Sequence, residues 1–288
     1  MSNSREFLTC LEILRKSSEF LARKGVPSPK CDSEWIVSSV LQKKRMDLYL
    51  QPDDILKEGD LVQIREMVVR RGKREPLQHI LGNVNFTGLI MKCDHRALVP
   101  RPETETLIEH ILGRIPKSFD GKILDLGTGS GAILFALCSS LVSASGIGID
   151  KSEKALSLAM ENLQLHDLKD RVVLRQLDWF SDEVEGEKVD LIVSNPPYLI
   201  LEEWEQAEPE VKVHDPKEAL VSNEAGFSDI RHVIQVSGNI LSPGGLLAIE
   251  FGVSHANSVK EALDRDFKDV ELLKDLSRRT RFAVARKA

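Results

Sequence analysis

From Lys122 onward, short apolar runs alternate with longer stretches in which apolar residues recur every third or fourth position. That alternation predicts strands joined by crossover helices, and so a parallel sheet. Strands are expected over Ile123–Leu126, Gly146–Ile149, Val172–Leu174, Leu191–Val193 and Leu246–Glu250. Helices are expected over Ala132–Leu141, after Ser152 with Leu156, Ala159, Met160 and Leu163 on one face, near Asp229–Leu241, and from Val259. Val270–Leu273 and Phe282–Ala285 read as two last strands. This third region, residues 101–288, is one doubly wound α/β domain.

The first 75 residues follow a helical period instead. Phe7, Leu8, Leu11 and Leu14 make one stripe, Trp35, Ile36, Val40 and Leu41 a second, and Leu61, Ile64, Val68 and Val69 a third. Gly25 and Pro27 stop the first helix, and Ser28-Pro29 starts the next as cap and first helical residue. The expectation is a small helical bundle acting as a recognition domain, since it carries no catalytic constellation. Its basic run, Arg70, Arg71, Lys73 and Arg74, suits a helix C-terminus; a binding patch is the alternative reading. Residues 76–100, with Val84–Phe86 and Leu89–Met91 around Thr87-Gly88, read as a β-hairpin linker. His79 stands alone there and reads as structural.

Composition narrows the class. The chain has 288 residues, 42% hydrophobic and 29% charged, with net charge −6. This fits a soluble globular protein and disfavours a DNA-coating surface or stable nucleic-acid binding. Its four cysteines are far apart and no histidine pair has metal spacing, so thiols in a reduced cytoplasmic compartment and no metal are expected. Met1–Lys16 lacks the apolar core of a signal peptide, and no apolar run is long enough to span a bilayer.

Two stretches carry candidate chemistry. The first predicted strand runs into Gly127-Thr128-Gly129-Ser130-Gly131 and then a helix start. There the backbone can approach a ligand, and first-turn N–H groups are unpaired. Asp150 ends the next strand, 19 positions beyond Gly131, where a carboxylate can accept from both hydroxyls of a ribose. The spacing departs from the dinucleotide fingerprint, and no basic residue stands by the turn to hold a pyrophosphate. Asp125 precedes the glycines and suits a cationic ligand. S-adenosylmethionine meets these terms, having a ribose and a sulfonium but no phosphate. Asp178 and Trp179, after the third strand, are then placed to meet the adenine, although Trp179 also reads as core.

The second stretch is Asn195-Pro196-Pro197-Tyr198, at the end of the fourth strand. Two prolines fix φ at about −65°, remove donors and hold the preceding residues extended. The carbonyls of Asn195 and Pro196 stay free to accept. With the Asn195 side chain and the Tyr198 ring they form a clamp for a planar group bearing an NH₂, such as a carboxamide or a base amine. A plain proline turn is the simpler alternative. In a doubly wound sheet the first and fourth strand ends lie together at the switch point, so Asn195 should border the cofactor site as well as the acceptor. Arg101-Pro102-Glu103-Thr104-Glu105 reads as a helix start with acids in its first turn; the alternative puts Arg101, Glu103 and Glu105 on a loop at a pocket entrance.

Asp125–Gly131 together with Asn195–Tyr198 resembles the amino-methylating Rossmann-like methyltransferases. Arg101–Glu105, Asp178-Trp179-Phe180 and Ser194–Tyr198 resemble the HemK/PrmC family in particular, over nearly the whole chain. The resemblance implies methyl transfer from S-adenosylmethionine to the glutamine amide of the Gly-Gly-Gln motif in class-1 peptide-release factors. Asn195, Pro196, Pro197 and Tyr198 would carry the chemistry. A nucleic-acid amino-methyltransferase, acting on adenine or cytosine, is the alternative. The sequence departs from the family at Asp215-Pro216, where glutamate is usual, and at Asp275–Arg281, where Arg278 replaces a glycine.

Overall fold

A computed structural model describes residues 8–181 and 188–288. Phe7 lies outside them; the first helix, Cys10–Arg23, is set by its cap. Thr9 Oγ1 accepts from Glu12 N at 3.3 Å, and Glu12 Oε2 accepts from Thr9 N at 2.9 Å. This reciprocal pair satisfies two N–H groups that a helix start leaves open. The chain divides into two compact units. One runs to Gly82 and takes in Glu208–His214; the other holds Asn83–Ala207 and Asp215–Ala288.

In the first unit the helices Cys10–Arg23, Pro29–Leu41 and Glu58–Gly72 bury Leu14, Leu21, Ile36, Val37, Ile64 and Val68 together. The basic run has carboxylate partners there, which no local pattern shows. Buried Arg71 donates from Nε to Asp32 at 2.7 Å and from Nη1 to Glu210 at 2.8 Å. Arg74 donates from Nε to the same Glu210 oxygen at 2.7 Å. Two guanidiniums around one carboxylate make a charge-assisted network that a helix dipole alone does not explain.

The second unit opens with the hairpin β1 (Asn83–Phe86) and β2 (Leu89–Lys92). Phe86 and Met91 are fully buried in the same core as Leu107 and Ile123. Lys92 exchanges backbone hydrogen bonds with the Asn162 side chain. The hairpin is thus part of the sheet unit.

The main sheet has seven strands: β3 (Lys122–Leu126), β4 (Ser145–Asp150), β5 (Val172–Gln176), β6 (Val189–Ser194), β7 (Leu241–Glu250), β8 (Phe267–Lys274) and β9 (Thr280–Lys287). Their order is β5-β4-β3-β6-β7-β9-β8. The first five neighbours run parallel, and β9 is antiparallel to both β7 and β8. The central strands are apolar at successive positions because both faces are covered. Ile123, Leu191 and Val193 face one core, and Leu124, Leu126 and Ile192 the other. No helix among the described residues is long and apolar enough to cross a membrane.

Arg278, at the departure from the family pattern, sits in the β8–β9 turn with φ 62°. It takes the left-handed conformation a glycine adopts freely. Arg278→Gly is therefore expected to stabilise the chain by about 0.5–1 kcal/mol. Urea unfolding checks this, and equal or lower stability would show that the Arg278 side chain compensates.

Candidate active site

The register of β3 against β6 pairs Leu126 with Ser194, and Ser194 Oγ donates to the Leu126 carbonyl at 2.7 Å. The next residues on each strand, Gly127 and Asn195, therefore emerge side by side. Both border one cavity that is open to solvent. Thr128, Gly129, Ser130 and Asp150 line it too, as do Asp178, Trp179 and Pro197. Gly131 instead caps the helix Ala132–Ser140. Pro196 and Tyr198 are not among the lining residues, although both flank ones that are.

The glycine turn is shaped by close approach. Gly127 has φ 76°, and a Cβ there would lie 2.5 Å from the Trp179 ring. Gly129 has φ 56°, and a Cβ would meet nothing within 4 Å. The turn is thus packed behind and open in front. Asp150 braces it: Oδ2 accepts from Gly129 N at 2.9 Å and Oδ1 from Ser152 N at 2.9 Å. Each oxygen keeps a lone pair for a ligand. Burial pushes the Asp150 carboxyl above its ordinary range. Trp179 belongs both to the core and to the cavity wall. It is 9% exposed and packs with Leu126 and Ile149, and its ring lies against Gly127.

Asp125 lies elsewhere than the sequence suggested. It points off the opposite side of β3 from Leu124 and Leu126, is fully buried, and does not line the cavity. Its Oδ2 accepts from Thr128 Oγ1 at 2.8 Å, so it holds the turn rather than the ligand. Burial raises its pKa from 3.8 to about 7. A raised carboxyl favours the fold below its unfolded pKa, and that contribution is lost as pH climbs through the folded value. Relative to wild type, Asp125→Asn should therefore gain about 1–3 kcal/mol between about pH 4 and 7, below the ceiling of about 4 kcal/mol that the displaced pKa allows. Urea unfolding at both pH values measures it; a constant difference would mean Asp125 titrates normally.

At the other end, Tyr198 N and Leu199 N both donate to the Leu220 carbonyl, at 3.1 and 2.9 Å, pinning the chain just past the prolines. The Tyr198 hydroxyl donates to Glu250 Oε1 at 3.4 Å, and burial pushes its pKa up to about 12. Thr104, on the first turn of the helix Pro102–Leu112, also lines the cavity, whereas Glu103 and Glu105 of the same turn do not. Arg101 lines it and donates to buried Asp215 at 2.7 Å, which gives the unusual Asp215-Pro216 a partner. Arg96 lines it as well, tied to Asp94 and Glu161. Both guanidiniums are already neutralised by carboxylates, which suits an uncharged or cationic ligand better than a phosphate. Sequence reasoning missed Thr104, Arg96 and Glu250.

Residues 12–82 match the family described as PrmC N-terminal domain, and residues 117–281 that described as methyltransferase domain. The release factor glutamine methyltransferase of Fusobacterium nucleatum subsp. nucleatum is 39% identical over 280 residues, covering 96% of this chain and 79% of its own. That of Geobacter sulfurreducens is 36% identical over 259 residues, covering 90% of this chain and 89% of its own. Among solved structures, the hMettl16 catalytic domain in complex with MAT2A 3′UTR hairpin 1 superposes with TM-score 0.56 at 15% identity, over 80% of this chain and 81% of that one. That last likeness is one of fold. With a glycine turn and the strand-end residues Asn195 and Pro197 bordering one cavity, the chain belongs to the release factor glutamine methyltransferase family.

Proposed function

We infer that this chain methylates the side-chain amide nitrogen of a glutamine in class-1 peptide-release factors, at the Gly-Gly-Gln motif, using S-adenosylmethionine. The observation that carries the reading is the shared cavity of Gly127–Ser130 and Asn195 in a chain of this family. The cavity fits the cofactor in kind. It offers an open glycine at Gly129, a carboxylate at Asp150 with acceptor capacity left, and an apolar wall from Val99, Ile133, Ala155 and Leu177. Asp150 would hold the ribose hydroxyls, and Asp178 and Trp179 the adenine. The helical unit, whose family match is separate, serves substrate recognition, and the cytoplasm is where such a substrate is found.

When bound, S-adenosylmethionine would supply an electrophilic methyl group for the amide nitrogen, with its sulfur as leaving group keeping the electron pair. An amide nitrogen is a weak nucleophile because its lone pair is shared with the carbonyl. Asn195 Oδ1 and the Pro196 carbonyl accept its two N–H bonds, fixing its orientation and offsetting the positive charge that develops on it. Pro197 keeps the Pro196 carbonyl free by lacking the N–H and the helical geometry that would engage it. Holding the nitrogen on line with the carbon supplies a proximity contribution of up to about 7–11 kcal/mol. The tetrapeptide contains no base. The proton passes to water after the nitrogen–carbon bond has formed, when the nitrogen is positively charged and strongly acidic.

Mass spectrometry of release factor incubated with the chain and S-adenosylmethionine tests the reading. One added methyl on the Gly-Gly-Gln glutamine supports it. Labelled methyl on DNA or RNA, with none on release factor, would transfer the assignment to nucleic-acid amines.

A further inference from the structure

The Asn195 side chain has two ends, and only its carbonyl serves the reaction inferred above. The hydrogen bonds behind it decide which end faces the cavity. Asn195 Nδ2 lies 3.4 Å from Thr104 Oγ1, and Thr104 Oγ1 donates to Glu250 Oε2 at 2.7 Å. Thr104 is 3% exposed and Glu250 1% exposed, so both are shut off from bulk water. A hydroxyl has one proton, and an ionised carboxylate only accepts. While Glu250 is ionised, the Thr104 proton is committed to it. The Thr104 oxygen then has only lone pairs to offer Asn195, so Asn195 must turn its NH₂ inward. Its carbonyl is left pointing to the cavity.

With a proton on Glu250 the polarity of the chain is lost. Glu250 then donates to Thr104, and the Thr104 proton is free to seek the Asn195 carbonyl. Both orientations of the amide become acceptable, and the one with NH₂ outward opposes the N–H groups of the acceptor.

We propose that Glu250 and Thr104 are positioning residues, a relay that fixes the Asn195 amide with its carbonyl toward the acceptor nitrogen. The proposal rests on the methyltransferase reading of the site. Groups from every element around Glu250 bear on its charge. Tyr198, beyond β6, donates to it at 3.4 Å. Arg281, on β9, favours the ionised form, and Glu103, on the Thr104 helix, opposes it. Burial is the largest influence and holds the carboxyl up at about 6. The relay is therefore set above neutrality and released as pH falls through about 6.

The test follows the Asn195 side-chain NH₂ resonance of the ¹⁵N-labelled full chain, assigned by its loss in Asn195→Ala, from about pH 5 to 8. In wild type it should titrate with a midpoint near the Glu250 value. In Glu250→Gln and Thr104→Val it should not. In parallel, kcat on a release-factor peptide should fall by about tenfold or more in both variants, stay near wild type in Thr104→Ser, and lose its acid limb in Glu250→Gln. Calorimetric cofactor affinity should be alike in all four proteins, which also reports folding. A resonance that ignores pH in wild type, or titrates unchanged in both variants, overturns the relay. So does Thr104→Val with the kcat of Thr104→Ser. A titrating resonance in a wild type that methylates no release factor supports the relay and overturns only the choice of substrate.

Discussion

Replacing Asn195 by alanine is expected to lower kcat by about 10²-fold or more while cofactor binding persists. The side chain supplies one of two acceptors for the substrate N–H bonds, and its contribution grows as charge develops on the nitrogen. Loss of one such preorganised partner costs about 2.7–4 kcal/mol of transition-state stabilisation in comparable sites. The void left by truncation admits water, which accepts hydrogen bonds but must reorganise to do so. The Pro196 carbonyl remains, so some activity should too. The other groups assigned to the cofactor lie past the ends of β3, β4 and β5, and Asp150 keeps its bonds to Gly129 and Ser152. Steady-state kinetics on release factor, with calorimetric titration of S-adenosylmethionine, separates the two quantities. A loss of cofactor affinity as large as the loss of kcat would mean that Asn195 belongs to the cofactor wall instead.

What the sequence made legible was the part governed by local pattern and by the few topologies open to a parallel sheet. Apolar runs fixed the strands, Gly127–Gly131 and the two prolines marked where they end, and right-handed crossovers place the first and fourth strands together. The Leu126–Ser194 pairing follows from that topology. What stayed hidden depends on contacts between distant segments. Thr104 reads as a first-turn helix residue, Glu250 as the last residue of a strand, and Arg281 as the residue just before a final strand. They meet because the helix Pro102–Leu112, β7 and β9 converge beside the end of β6. One signal was available: Glu250 closes an apolar run, as Asp150 does, and strand ends on that edge are where ligands bind. Asp125 shows the reverse. Its nearness to the glycines in sequence suggested a ligand contact, but strand alternation turns it into the core. The Arg70–Arg74 run was ambiguous for a similar reason, since its partner Glu210 is more than a hundred residues away.

Asp150→Ala should do the opposite of Asn195→Ala, raising the cofactor dissociation constant by about 10²-fold and changing kcat at saturation much less. Two charge-assisted hydrogen bonds to ribose hydroxyls are at stake, each worth about 1.5–3 kcal/mol. The same carboxylate accepts from Gly129 N and Ser152 N, so its removal also leaves the open glycine of the turn without its brace. Both effects act on the cofactor, whereas the Asn195 clamp stands past the end of β6, two strands from Asp150, held through Thr104 and Leu220. Asp150→Asn should recover little, because an amide puts a donor against one of the two N–H groups. The raised carboxyl adds a pH signature. Protonation removes an acceptor, so wild-type affinity should weaken toward acid, and the alanine variant should show none of that dependence. Calorimetric titration across pH reads all of this. An unchanged dissociation constant in Asp150→Ala would place the ribose elsewhere in the cavity and detach the glycine turn from the role given to it.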